Sequence, residues 1–188
     1  IQSSAASGTI TTTSRLRGAD NASITLKADG NIRTGNISTN GQEISLASKT
    51  GNVTTGQLQT GTVTVVPDAV DTAKVKQTAG DVSVTAEGKV TVVSIDSRGD
   101  RAGNVTLTGR NGLSVGAIEA GGSQTPGNIT LTGSEIDLTG DKNSVGRNGN
   151  LVLQPAEARQ NITLGGSADT EALNLTASVL GTLLNGVV

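Results

Sequence analysis

The sequence contains no Phe, Trp, Tyr, His, Cys or Met among its 188 residues. Without Cys and His, thiolate nucleophiles, disulfides, zinc sites and imidazole acid–base chemistry are excluded. Without aromatic rings there is no platform on which a base or a sugar can stack, and no cation–π cage. Charge is also scarce: 16% of residues are charged, and the net charge is −2 with a pI near 5.1. That balance argues against nucleic acid or an anionic membrane as partner. No run approaches the ~18 apolar residues of a membrane span. The expectation is a protein that is not an enzyme, holds no cofactor or metal, and does not insert into a membrane.

What is present points to order. Ile, Leu and Val number 45, above the share below which disorder is the default. Ile and Val together (29) outnumber Leu (16), and β-branched side chains favour strands. Gly (26), Thr (27), Ser (17) and Asn (14) supply the rest of the pattern. A core of small, stiff side chains works when it is thin and continuous, which is the condition of a repeat protein.

The repeat is visible directly. An apolar–Ser/Thr–apolar triplet begins at Ile24, Ile44, Val63, Val82, Val105 and Ile129, and a variant, Leu151-Val152-Leu153, follows. Spacings are 20, 19, 19, 23, 24 and 22 residues, a mean near 21. Two places before each copy stand Ala22, Gln42, Gly61, Gly80, Gly103, Gly127 and Gly149, a column read as a backbone turn that other residues avoid. A second apolar segment follows at Ile32, Val53, Val90, Leu113 and Ile136, and a third at Ile37, Leu58, Ile95 and Ile118. After Val66 the pattern breaks, and Pro67-Asp68 opens an irregular stretch to about Gln77.

Inward residues recurring in one order at every turn exclude hairpins. The fold class expected is all-β: a three-faced, right-handed parallel β-solenoid of about 21 residues per turn, with roughly nine turns and a length of ~40 Å. Asn residues, for example Asn31 and Asn52, are expected to stack and bond along the axis through their side-chain amides. Residues 1–160 form the solenoid. Residues 161–188 form a terminal repeat, junction or cap, with strands at Ile162–Leu164 and around Leu173 and Leu175. Ala177–Leu184 is read as a short helix or one further turn. Neither end carries an evident cap, so end-to-end continuation or self-association is expected. The chain starts at Ile1 with no export signal before it and reads as a mature piece or a fragment.

The GNVTLTG and GNITLTG units at 103–109 and 127–133 resemble the repeats of filamentous-haemagglutinin-type passengers exported by two-partner secretion. The tail, LVLQPAEARQNITLGGSADTEALNLTASVLGTLLNG, is similar to a segment of the large cyanobacterial and proteobacterial exoproteins of that group. The resemblance implies a fibrous rod, secreted or attached to the bacterial surface, serving adhesion, biofilm or matrix. It implies no catalytic residues. Self-association, a surface polysaccharide or a neighbouring cell surface are the partners it suggests.

Several motifs carry a sharper reading beside a plain one. Arg98-Gly99-Asp100 is a receptor-type tripeptide in a long connection, although Gly and charged residues suit any turn. The seven Asn-x-Ser/Thr sequons follow from the repeat itself. Asp20, Asp29, Asp81, Asp100 and Asp141 are scattered as turn formers, and a hard cation needs several oxygens together. Glu135 and Asp137 lack a partner for polysaccharide cleavage. Outward Thr25, Ser45, Thr64, Ser83, Thr106 and Thr130 form a hydroxyl ladder. With Thr85, Thr108 and Thr132 beside it, that ladder raises an ice- or polysaccharide-binding alternative, although the second column changes at Val66, Ala47 and Lys27. The longest connections, Asp96–Asn104, Glu119–Asn128 and Thr139–Asn150, are expected to stack as one polar flank.

Overall fold

The computed structural model describes residues 2–5, 8–12, 14–18, 22–61, 78–146, 149–165 and 172–183. Strands pair in parallel throughout, and the chain winds as a β-solenoid. The first face is a seven-stranded sheet in the order Gln2–Ala5, Ile24–Ala28, Ile44–Ser48, Val82–Ala86, Val105–Gly109, Ile129–Gly133 and Leu151–Pro155. The second and third faces share one nine-stranded sheet. They are separate strands at first (Ile32–Arg33, Ile37–Ser38), then fuse into Val53–Gln59, Val90–Asp96 and Leu113–Glu119, each bent at one corner residue.

Alternation explains which side chains face inward. In Ile24–Ala28 the residues Ile24, Leu26 and Ala28 are buried while Lys27 is exposed. The second- and third-segment positions expected to point inward, Ile32, Val53, Val90, Leu113, Ile136, Ile37, Leu58, Ile95 and Ile118, are all buried. They join one core running from Ile10 to Val179. No aromatic ring is needed, because each side chain packs on its own counterpart one turn away.

The turn count is lower than expected. Ile44 pairs directly with Val82, and Val53 with Val90, so neither ladder holds a strand between them. The copy beginning at Val63 lies outside the described residues. Successive first-face partners are otherwise 20 to 24 residues apart, as in Thr25↔Ser45 and Thr106↔Thr130. Seven stacked strands span ~29 Å at the usual inter-strand spacing, rather than the ~40 Å of nine turns.

The glycine column also has a different cause. None of Gly80, Gly103, Gly127 or Gly149 has positive φ. Instead, a Cβ on Gly103 would overlap the Gly80 carbonyl, and one on Gly127 the Gly103 carbonyl. Backbone lies directly on backbone at these two positions, and only Gly leaves room there.

Asparagines stack as anticipated but bond differently. The Asn31 side-chain oxygen accepts the Asn52 N–H (2.7 Å), and the Asn52 oxygen accepts the Lys89 N–H (2.7 Å). At the corner entering the first face, Asp81 accepts from Asn104 N–H (2.7 Å) and Asn104 from Asn128 N–H (3.0 Å). Asn128 then accepts from Asn150 N–H (2.9 Å). Each side chain thus satisfies a backbone donor of the next turn where the strand ladder is interrupted.

The tail belongs to the same core. Ala172–Leu175 pairs in parallel with Asn161–Leu164, and Leu173 and Leu175 are buried. Thr176 caps the short helix Ala177–Gly181, accepting from Val179 N–H, and Val179 is buried against the core. Leu183 then bridges Val145 on the third face. The expectation that neither end is covered is therefore corrected here: this end is covered on its second and third faces. On the first face Leu151–Pro155 is the last strand of the sheet among the described residues, and Val152 is exposed.

Candidate functional site

Three outward surfaces carry polar chemistry: the first-face ladder, the flank of long corners, and an ion-paired corner. In the ladder, Thr25 pairs with Ser45, Ser45 with Ser83, Ser83 with Thr106 and Thr106 with Thr130. The column ends at Val152. Thr64 lies outside the described residues, and the sheet passes from Ser45 to Ser83 with no strand between. The second column is therefore Lys27, Ala47, Thr85, Thr108, Thr132 and Gln154, without Val66. Three adjacent strands carry the paired array of hydroxyls expected from the sequence, Ser83/Thr85, Thr106/Thr108 and Thr130/Thr132. The Gln154 amide closes it by donating to the Thr132 hydroxyl at 2.8 Å.

Two of the three long corners stack as expected. Gly99–Arg101 and Gly122–Thr125 pair as a small parallel sheet on the flank, and Thr78 bridges Arg101 on its other side. The third does not join them. Val145–Gly146 pairs with Ile118 and Glu119, so it is the third-face strand of its turn. The extra length of Thr139–Asn150 therefore precedes the third face, on a different corner.

Arg98, Gly99 and Asp100 lie in this flank sheet and its entry. The Arg98 guanidinium is held by Asp96 (2.8 Å) and Glu119 (3.0 Å), and the Ser123 hydroxyl donates to Asp100 (2.8 Å). Both charged ends of the tripeptide thus have partners within the fold, and Gly99 and Asp100 lie in a paired strand that Arg98 enters. Burial pushes the Asp96 carboxyl up, but the hydrogen bonds and charge of Arg98 outweigh it and hold Asp96 below its ordinary 3.8. A carboxyl lowered in the folded chain adds stability above its unfolded value, and that contribution is lost as pH falls through the folded value. Acid titration of Asp96→Asn is expected to lack this component. The difference near neutral pH should stay under about 1 kcal/mol, because the pair is partly solvated. Identical acid profiles for the two proteins would show that the pair contributes nothing.

Arg110 bridges Glu157 (2.7 Å) and Glu87 (3.2 Å) along an exposed corner, and these carboxylates push its guanidinium pKa further up. Nothing in the sequence pointed to this cluster, since its members are 23 and 47 positions apart.

No family model matches the chain, nor does any curated protein or solved structure. Among the described residues there is no group of three His, Cys, Asp or Glu able to hold a metal ion, and no helix long and apolar enough to cross a membrane. Glu135 and Asp137 stand on the exposed side of their turn. The chemistry these surfaces offer is hydrogen bonding by neutral hydroxyls on the first face and ion pairs on the corners.

Proposed function

We propose that this chain is a structural and adhesive segment of an extracellular bacterial filament or large surface exoprotein, of the filamentous-haemagglutinin type that its repeats resemble. The observation that supports this reading best is the single unbroken core of stacked aliphatic ladders. Such a stack resists bending because every turn is hydrogen-bonded to the next along its faces. Its outward residues include hydroxyls, amides and paired charges, suited to display and to repeated weak contacts. Among the described residues Leu151–Pro155 is the edge strand of the first face, which supports continuation along the axis, within one chain or between copies, since an open edge is a template for pairing.

A second reading is a polysaccharide- or ice-binding solenoid. The contiguous Ser83/Thr85, Thr106/Thr108 and Thr130/Thr132 pairs favour it. The second column stops at Ala47 and Lys27 on one side and Gln154 on the other, so the array spans three strands only.

Negative-stain microscopy and gold labelling on intact cells of the source organism test the leading reading. Labelled thin rods or fibres at the cell surface are expected. Compact particles, or label confined to the cell interior, would overturn it.

A further inference from the structure

Asn is chemically labile when the next backbone nitrogen can reach its side-chain carbonyl carbon, and a following Gly, with no Cβ and a permissive backbone, allows that approach. At Asn31, Asn52, Asn104 and Asn128 the next residue is Ile or Val, whose branched Cβ shields the nitrogen. Two Asn-Gly pairs fall wholly within the described residues. Asn40-Gly41 stands at the corner between the third and first faces, and Asn111-Gly112 at the corner between the first and second.

The two corners hold their glycine nitrogens differently. Gly41 N–H donates to the Thr60 carbonyl of the next turn (3.0 Å), and the buried Thr39 closes the loop by donating its hydroxyl to the Gln42 carbonyl (2.5 Å). Gly112 N–H donates only within its own tight turn, to the Gly109 carbonyl (3.0 Å). Freeing the Gly41 nitrogen therefore breaks a bond between turns, whereas freeing that of Gly112 breaks one local bond. The Asn111 side chain is exposed and, among the described residues, no hydrogen bond holds it. Gly112 is itself buried, so water reaches the pair from the Asn111 side. The packing is also loose there. A Cβ on the neighbouring Gly51, Gly88 or Gly109 would overlap adjacent atoms, while one on Gly112 would meet nothing nearer than the Glu135 carbonyl at 3.7 Å.

We propose that Asn111 is a site of spontaneous covalent modification, converting to aspartate and isoaspartate in the folded protein while Asn40 is protected. The Gly112 nitrogen attacks the Asn111 side-chain carbonyl carbon and forms a new N–C bond. The side-chain nitrogen leaves as ammonia, carrying the proton that the Gly112 nitrogen gives up, and a succinimide ring remains. Water then adds to one of the two ring carbonyls and breaks its bond to the ring nitrogen, giving aspartate or isoaspartate. Isoaspartate routes the main chain through the former side chain and lengthens it by one methylene. That extra length enters next to Leu113, a fully buried core residue whose N–H donates to the Glu135 carbonyl (2.8 Å). The strand Leu113–Glu119 is thereby pushed out of register with its neighbours. The inference is independent of the adhesive reading, since it needs only the corner geometry.

Ageing the whole chain in warm, mildly alkaline buffer, folded and in urea, tests it. Conversion is followed by peptide mass spectrometry, with isoaspartyl methyltransferase labelling to distinguish the two products. In the folded chain Asn111 should convert about tenfold faster than Asn40, the factor that one extra hydrogen bond between turns supplies. In urea the two rates should be nearly equal. After ageing, hydrogen exchange should show lost protection at Leu113–Glu119 in the wild-type chain and full protection there in Asn111→Gln, whose longer side chain closes the ring far more slowly. The proposal is overturned if Asn111 in the folded chain converts no faster than Asn40. It is equally overturned if the same ratio persists in urea, which would place the cause in local sequence, or if the two aged proteins are equally protected at Leu113–Glu119.

Discussion

Gly103→Ala should destabilise the solenoid by about 3 kcal/mol in urea unfolding, at the upper end of what one added methyl costs in a packed site. The new Cβ would overlap the Gly80 carbonyl below it, and Gly127 above stacks on Gly103 in the same way. Relief requires two turns to separate. Separation would stretch hydrogen bonds such as Val82 N–H to the Asn104 carbonyl (2.8 Å) and Val105 N–H to the Asn128 carbonyl (2.8 Å). A conformational role for these glycines would predict otherwise, since their φ values are open to alanine. A loss below about 1 kcal/mol would mean that the corner dilates freely, and that close stacking is not what selects Gly there.

Truncating the centre of the first-face ladder has an effect of similar size. Leu107 is fully buried, between Val84 on one turn and Leu131 on the next. Leu107→Ala should cost about 2–5 kcal/mol, because the flanking β-branched and leucine side chains are fixed by their own strands and collapse little into the void. The damage should also be local. Each turn touches only its neighbours, so stability is close to a sum of turn and interface contributions. Hydrogen exchange should show lost protection across Val82–Ala86, Val105–Gly109 and Ile129–Gly133, with protection at Ile24–Ala28 nearly unchanged. Uniform loss along the whole chain would show a single cooperative unit instead. Val152→Ala, on the exposed side of the last strand, should change stability by less than about 0.5 kcal/mol.

The sequence by itself determined the fold class and most of the core. Alternation within each short strand, repeated at a near-constant interval, identifies the inward residues because burial on one face of a strand has a period of two. Ile32, Leu58, Ile95 and Ile118 could be assigned inward on that basis alone. The same logic placed two long corners together, since residues at equal phase in successive turns must stack.

Only the tertiary structure decided which turns are neighbours. Val63-Thr64-Val65 satisfies the local pattern as well as any other copy, yet Ile44 pairs with Val82. Strand pairing is a choice between distant segments, and a local triplet carries no information about which partner it loses to. The glycine column was legible as a column but not in its cause, because φ and close backbone approach both select Gly and leave the same letter. Asn104 and Asn128 were visible as parts of sequons, while their acceptance of the next turn's N–H depends on an axial spacing that stacking alone creates. The placement of residues 139–144 was hidden for a related reason. Its length was counted toward the wrong corner, because Val145 is recognisable as the third-face strand only through its pairing with Ile118. Composition and period set what each turn is made of, and the hydrogen-bonded register between turns set where the corners come to lie.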